Sequence, residues 1–204
     1  MRILTEKEAE DFLEKEGFNI LERKIAKEEK DLADIKKRIK FPWAMKVISE
    51  KIIHKKQSGG VILNINSLEQ AKISLERLSE LEGFKGAIIQ PMISGIEFII
   101  GLKNTPEFGL VIMLGKGGSD VEKEKDVSFR VLPVASKDTK EMLSELKFYE
   151  SLKKLHAGLV LIEKNLMQLA NLAKKFPNIE ELDINPLIVN EKSALIVDAR
   201  IILD

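Results

Sequence analysis

No cysteine occurs among the 204 residues, which excludes disulfides, thiolate metal sites and cysteine nucleophiles. Histidine is nearly as scarce, with His54 and His156 the two in the chain. Aromatic residues make up 5%, so an aliphatic core is expected from the 44% hydrophobic content. Net charge is absent as well. The 33 basic and 33 acidic residues cancel, which argues against a nucleic-acid partner held by bulk charge. No apolar run reaches membrane-spanning length and no signal peptide is evident, so a soluble cytoplasmic protein without a membrane partner is expected.

What is present is an order of elements. Thr5 to Glu8 has capping-box spacing ahead of a helix over residues 6–16, stopped at Gly17. A short strand is expected over 18–23 and a charged helix over 25–39, ended by Pro42. Two apolar runs, 43–48 and 61–65, read as strands joined by a basic, glycine-ended loop. Ser67 caps a helix carrying Ala71, Leu75 and Leu78 on one face. Strands follow at 86–92, 96–102, 109–114 and 127–134. Helices are expected at 136–146 and 159–175, and a closing hairpin at 179–189 and 194–197. The order gives an α/β (α+β) chain of two lobes, residues 1–85 and 86–204.

Four stretches carry candidate chemistry. In the first, Lys46 interrupts an apolar strand, and a lysine there must either reach water or meet an anion. His54-Lys55-Lys56 and the Gly59-Gly60 pair follow, as a cationic loop whose glycines let backbone N–H groups approach a phosphate. The second is Glu180 to Arg200. Asp183 and Asn185 share a strand face, and Asp198 reaches it from the partner strand. That set reads either as a polar hairpin face or as an incomplete hard-oxygen shell for Mg²⁺, finished by substrate phosphates and water. The third, Gln90-Pro91-Met92 to Glu97, is either an ordinary hairpin or a strand end that reads an adenine edge with a carboxylate near the ribose. The fourth runs from Gly115 through Glu122 to Arg130, either a charged loop or a close backbone approach to a ligand.

Together these stretches resemble the ATP-grasp fold, and more closely the β subunit of the ADP-forming acetyl-CoA synthetases (NDP-forming acyl-CoA synthetases). The stretches that carry the resemblance are Met45 to Ser49 with Ile53-His54-Lys55 and Gly59-Gly60-Val61; Phe108-Gly109 with Met113 and Gly117-Gly118; Val121 to Val131; and Glu181 to Leu187 with Val197 to Arg200. The order is also similar to succinyl-CoA synthetase β, but that family's counterpart of the His54 loop is glycine- and arginine-rich.

The resemblance implies two lobes with ATP or ADP between them and Mg²⁺ as cofactor. It implies Lys46 on the nucleotide phosphates, Gln90, Pro91 and Met92 reading adenine, and Glu97 beside the ribose. Asn185 and Asp198 would be the Mg²⁺ ligands with Asp183 assisting. Glu122 and Arg130 would lie near the phosphates, and His54 would carry the phosphoryl group. A CoA-binding α subunit, in an α2β2 assembly, would complete an acetate–CoA ligase. The alternatives are a non-catalytic regulatory subunit and an ATP-grasp ligase of another class. Departures from the family pattern, among them Lys56-Gln57-Ser58 in the histidine loop and a missing Arg-Gly segment near Lys153 to Gly158, bear on activity and α-subunit docking.

Overall fold

The structure, a computed structural model, describes residues 1–52, 55–118 and 126–204. His54 and Glu122 lie outside the described residues. The chain forms two compact units, one of residues 21–93 and one of residues 1–20 with 94–204. These units do not coincide with the expected cut after residue 85. The strand over residues 86–91 hydrogen-bonds into the sheet of the smaller unit, and the first twenty residues belong with the larger one.

From the N-terminus, β1 (Arg2–Ile3) and α1 (Glu6–Lys15) precede the smaller unit. That unit contributes β2 (Lys24–Ala26), α2 (Glu29–Lys36), β3 (Trp43–Ile48), β4 (Val61–Ile65), α3 (Leu68–Ser79) and β5 (Gly86–Pro91). The larger unit resumes with β6 (Ile96–Thr105), β7 (Gly109–Lys116), β8 (Val127–Val131), α4 (Ser136–Ser144) and α5 (Tyr149–Leu152). It ends with α6 (Ala157–Lys175), β9 (Ile179–Val189), β10 (Ala194–Ile196) and β11 (Ala199–Leu203).

The smaller unit is a four-stranded antiparallel sheet in the order β2-β5-β3-β4. Trp43, Met45 and Val47 of β3 and Ala87 and Ile89 of β5 face α2 and α3, where Leu32, Ile35, Leu75 and Leu78 complete an apolar core. Each large aliphatic side chain buried there contributes roughly 1.5–3 kcal/mol. The indole N–H of Trp43 donates to the Ile39 carbonyl at 3.0 Å, so the buried ring leaves no polar atom unsatisfied.

The larger unit is built on a seven-stranded antiparallel sheet, β1-β11-β9-β6-β7-β8 with β10 on β9. One face carries Phe98, Ile100, Leu102, Ile112, Leu114, Leu182, Ile184 and Ile201, packed against α1, α4 and α6. Ile162, Leu166, Leu169 and Ala173 of α6 supply the helical stripe that covers them. The Thr5–Glu8 capping box forms as its spacing requires: Glu8 N–H donates to Thr5 Oγ1 and Thr5 N–H donates to Glu8 Oε2 at 2.8 Å.

Two expected elements differ. Residues 18–23 hold a single bridge, Ile20 to Ile196, rather than a strand. The helix expected over 25–39 begins at Glu29, because Ile25 pairs with Ile88 in β2 and Asp31 then accepts from the N–H groups of Lys27 and Glu28 to start α2. Among the described residues no helix is long and apolar enough to cross a membrane.

Candidate functional site

Strand alternation places the candidate residues of each unit on one face. In the smaller unit Ala44 pairs with Gln90 and Lys46 with Ile88, so Lys46 and Gln90 share the face opposite α2 and α3. Both are buried, Lys46 at 5% and Gln90 at 1% exposure. A lysine so enclosed holds its charge only where an anionic or acceptor group compensates it.

The hinge after β5 is narrower chemically than its sequence suggests. Pro91 has no N–H, and the N–H of Met92 donates to the Pro42 carbonyl at 2.8 Å. Neither Pro91 nor Met92 therefore offers a backbone N–H to a base edge, which leaves the side-chain amide of Gln90 as the donor in the expected trio.

Gly59 and Gly60 also have a different role from the one expected of them. The N–H of Gly60 donates to the Lys55 carbonyl at 2.7 Å and that of Gly59 to the Lys56 carbonyl at 3.3 Å. These donors close the turn into β4 and are not aimed at a ligand. Gly59 has φ +72, and a Cβ on Gly60 would lie 2.6 Å from Val47 Cγ1, so geometry and packing require the pair.

In the larger unit Glu97 and Gly101 of β6, Asp183 of β9 and Arg200 of β11 occupy the face that turns away from α1, α4 and α6. Between them the alternation breaks on two strands at the same level. The β6–β9 register shifts between Phe98 and Ile100, which makes Asn185-Pro186 a bulge, and Val197-Asp198 separates β10 from β11. The N–H of Asn185 donates to the Asp198 carbonyl at 3.1 Å and that of Val197 to the Pro186 carbonyl at 3.0 Å, locking the two irregularities together. Bulges commonly re-aim a side chain at a site. Here the bulge and the strand break bring the backbones of Asn185 and Asp198 together.

The electrostatics fit a cation. Burial pushes the carboxyl of Asp183 up to about 6, and the charges of Asp198 and Glu181 push in the same direction against Arg200. The excess negative charge is what a divalent ion would neutralise. Among the described residues no three His, Cys, Asp or Glu side chains converge on one metal position. Two carboxylates and an amide oxygen suit Mg²⁺ when water and phosphate oxygens fill its remaining positions. Arg200, which pairs in register with Asp183, stands two residues beyond Asp198, and that spacing was its signal in the sequence.

Arg130 is not part of this face. It pairs in register with Ile112, on the helix side of β8. Its guanidinium donates to Glu145 at 2.6 and 3.1 Å, and Glu145 also accepts from Ser128 Oγ at 2.5 Å. The hydrogen bonds from Arg130 and Ser128 hold Glu145 below the usual carboxylate range. The residue expected near the phosphates is therefore a structural anchor for the end of α4.

The glycines of the fourth stretch have a visible purpose. Gly117 N–H donates to the Glu97 carbonyl at 2.7 Å, and a Cβ on Gly117 would stand 2.6 Å from the backbone carbon of Phe98. Gly118 sits at φ +96, a conformation that favours glycine, with Glu97 Oε2 2.7 Å from where a Cβ would be. The backbone thus lies directly on Glu97. Gly117→Ala is expected to destabilise the fold by about 2–4 kcal/mol, since backbone must move to admit the methyl. Chemical denaturation of the variant checks this, and a loss under about 0.5 kcal/mol would contradict the packing argument.

Residues 1–203 match the model of an ATP-grasp domain family. The β subunit of acetate–CoA ligase (ADP-forming) I from Pyrococcus furiosus is 36% identical, with 99% of this chain and 92% of that protein covered. Acetate–CoA ligase (ADP-forming) II from Archaeoglobus fulgidus is 36% identical over 98% of this chain, which spans only 30% of that longer protein. Among solved structures, the acetyl-CoA synthetase of Ca. Korarchaeum cryptofilum superposes with a TM-score of 0.84 at 31% identity. The match covers 99% of this chain and 93% of that one. That structure holds coenzyme A and Mg-AMPPCP, with its phosphohistidine segment pointing towards the nucleotide-binding site.

Proposed function

Because the chain belongs to the ATP-grasp family and, within it, to the ADP-forming acetate–CoA ligases, we propose that it is the nucleotide-handling β part of such a ligase, working with a CoA-binding α part. The observation that carries the reading is the β9 bulge at Asn185-Pro186, tied by backbone hydrogen bonds to the break at Val197-Asp198, next to the face holding Asp183 and Glu97. Lys46 neutralises the nucleotide phosphates, Gln90 meets the base, and Glu97 accepts from ribose hydroxyls. Asn185, Asp198 and Asp183 hold Mg²⁺, which supplies charge neutralisation between the phosphates when bound.

The net reaction is acyl-CoA, ADP and phosphate giving acid, CoA and ATP. In the step assigned to this chain, the N–P bond of phosphorylated His54 breaks as a terminal oxygen of ADP bonds to phosphorus, and the imidazole nitrogen recovers its electron pair. Little covalent work is asked of the protein beyond this carrier, since phosphoryl transfer depends mainly on alignment and charge stabilisation. The cytoplasm is the compartment that supplies these substrates, and an α2β2 assembly is the expected oligomer.

Isothermal titration with ADP and Mg²⁺ tests the reading. Wild-type protein is expected to bind ADP more tightly with Mg²⁺ than without, and Asp198→Ala to lose roughly tenfold or more in the Mg²⁺-dependent affinity. Equal affinity in both proteins would rule the assignment out.

A further inference from the structure

Arg200 is a cation set among carboxylates that binds none of them. It pairs in register with Asp183 on the sheet face that turns away from the helices, and it is partly buried there. Asp198 stands two residues before it in the chain, and Glu181 lies two residues from Asp183 on β9. Among the described residues its guanidinium nevertheless makes no hydrogen bond, and no ion pair within 4.0 Å. It acts on the Asp183 carboxyl only as a nearby charge, more weakly than burial or the charges of Asp198 and Glu181.

The neighbouring row of the same face has the ordinary outcome. Lys103 pairs in register with Glu181, and their side chains close to 3.4 Å. Arginine has a longer reach than lysine and a planar fork of donors suited to a carboxylate. Register alone therefore offers Arg200 a partner that its guanidinium does not take. Its donors remain available to an acceptor from outside the chain, and phosphate matches their fork as well as a carboxylate does.

Position along the sheet selects which phosphate. Gly101, Asp183 and Arg200 form one row across β6, β9 and β11. Glu97 lies four residues back along β6, roughly 13 Å at about 3.3 Å per residue. The bulge at Asn185-Pro186 and the break at Val197-Asp198 fall between these two levels. With Glu97 on the ribose and Asn185 and Asp198 on the Mg²⁺, a nucleotide laid along this line passes the metal and brings its last phosphate to the row of Arg200.

We propose that Arg200 holds the terminal phosphoryl group, the γ-phosphate of ATP or the group arriving at ADP, through charge-assisted hydrogen bonds to its non-bridging oxygens. The inference rests on the functional reading above and adds to it a residue for the transferred group itself. As the N–P bond of phosphorylated His54 breaks and an ADP oxygen bonds to phosphorus, Arg200 forms no covalent bond and moves no proton. It donates N–H groups to the equatorial oxygens, over which charge spreads in a loose transition state.

Titration of the full chain with ADP and with AMPPCP, each with Mg²⁺, tests the assignment. AMPPCP carries the third phosphate on a carbon bridge that blocks transfer, so binding is read without turnover. Arg200→Gln is expected to lower AMPPCP affinity at least about tenfold and to leave ADP affinity within about threefold. Arg200→Lys keeps the charge without the fork and should fall between Arg200→Gln and wild type in AMPPCP affinity. A merely structural role, in packing or in balancing the Asp183 charge, would weaken both nucleotides alike, because both need the metal. Equal losses for the two nucleotides, or no loss for either, overturn the proposal. Should Arg200→Gln fail to melt cooperatively, the ratio of the two affinities in Arg200→Lys decides, a fall of about threefold or more being expected. Wild-type protein that binds neither nucleotide would sink the functional reading and this inference with it. Wild-type protein that binds both, with the ratio unchanged in the variants, would sink this inference alone.

Discussion

His54→Ala is expected to lower ATP formation from acyl-CoA, phosphate and ADP by at least about 10³-fold. A relay of the phosphoryl group needs a nucleophile that is neutral near pH 7 and a good leaving group when charged, and imidazole alone among side chains meets both conditions without assistance. Nothing nearby substitutes for it: the chain has no cysteine, and the other histidine is His156. His156 is exposed at the start of α6, outside the four stretches that carry the chemistry. A coupled ATP assay with the CoA-binding subunit measures the effect, and acyl phosphate formation on the partner should persist. His156→Ala serves as the control and should retain activity within about twofold. Activity of His54→Ala within tenfold of wild type would remove the carrier role.

Lys46→Met is expected to lower kcat/KM for ADP by roughly 10²–10³-fold, the range found when one preorganised charge-stabilising donor is removed. Methionine keeps the apolar stem and length of lysine, so the packing of β3 against β4 and β5 is retained while the charge is lost. The charge matters here because Lys46 is buried at 5% exposure, where low dielectric strengthens its attraction for phosphate. Thermal melting separates a folding defect from a binding one. A well-folded Lys46→Met variant with unchanged kcat/KM would place the phosphates elsewhere.

Local rules carried much of the architecture. Thr5 and Glu8 announced α1 because capping is decided within four residues, and Ser67 announced α3 in the same way, its Oγ accepting the Gln70 N–H at 3.2 Å. Where tertiary pairing decides, sequence pattern was insufficient. Lys24–Ala26 is a strand only because β5 is beside it, and β11 is a separate strand only because Val197-Asp198 breaks the ladder. The two-residue β1 depends on pairing with Leu203 and Ile202 from the far end of the chain.

The candidate site divides along the same line. Strand alternation was enough to put Asp183 on the face that turns away from the helices, and the isolated lysine in an apolar run was enough to single out Lys46, which is buried. The bulge at Asn185 was not visible, since it arises from a register shift against β6. The glycine pairs were recognised as places of close approach, but what approaches them is protein: Val47 for Gly60, and Glu97 and Phe98 for Gly117 and Gly118. The family resemblance put Arg130 near the phosphates, whereas it lies in register with Ile112 on the helix side of β8. The ion pair with Glu145 inverts the usual answer for β8.

Labelling with γ-³²P ATP and Mg²⁺ tests the central claim most directly. The account predicts that the chain acquires acid-labile, base-stable phosphate at His54, that added ADP discharges it to ATP, and that Asp198→Ala slows the labelling. No label on wild-type protein, or a label that persists in His54→Ala, would contradict it.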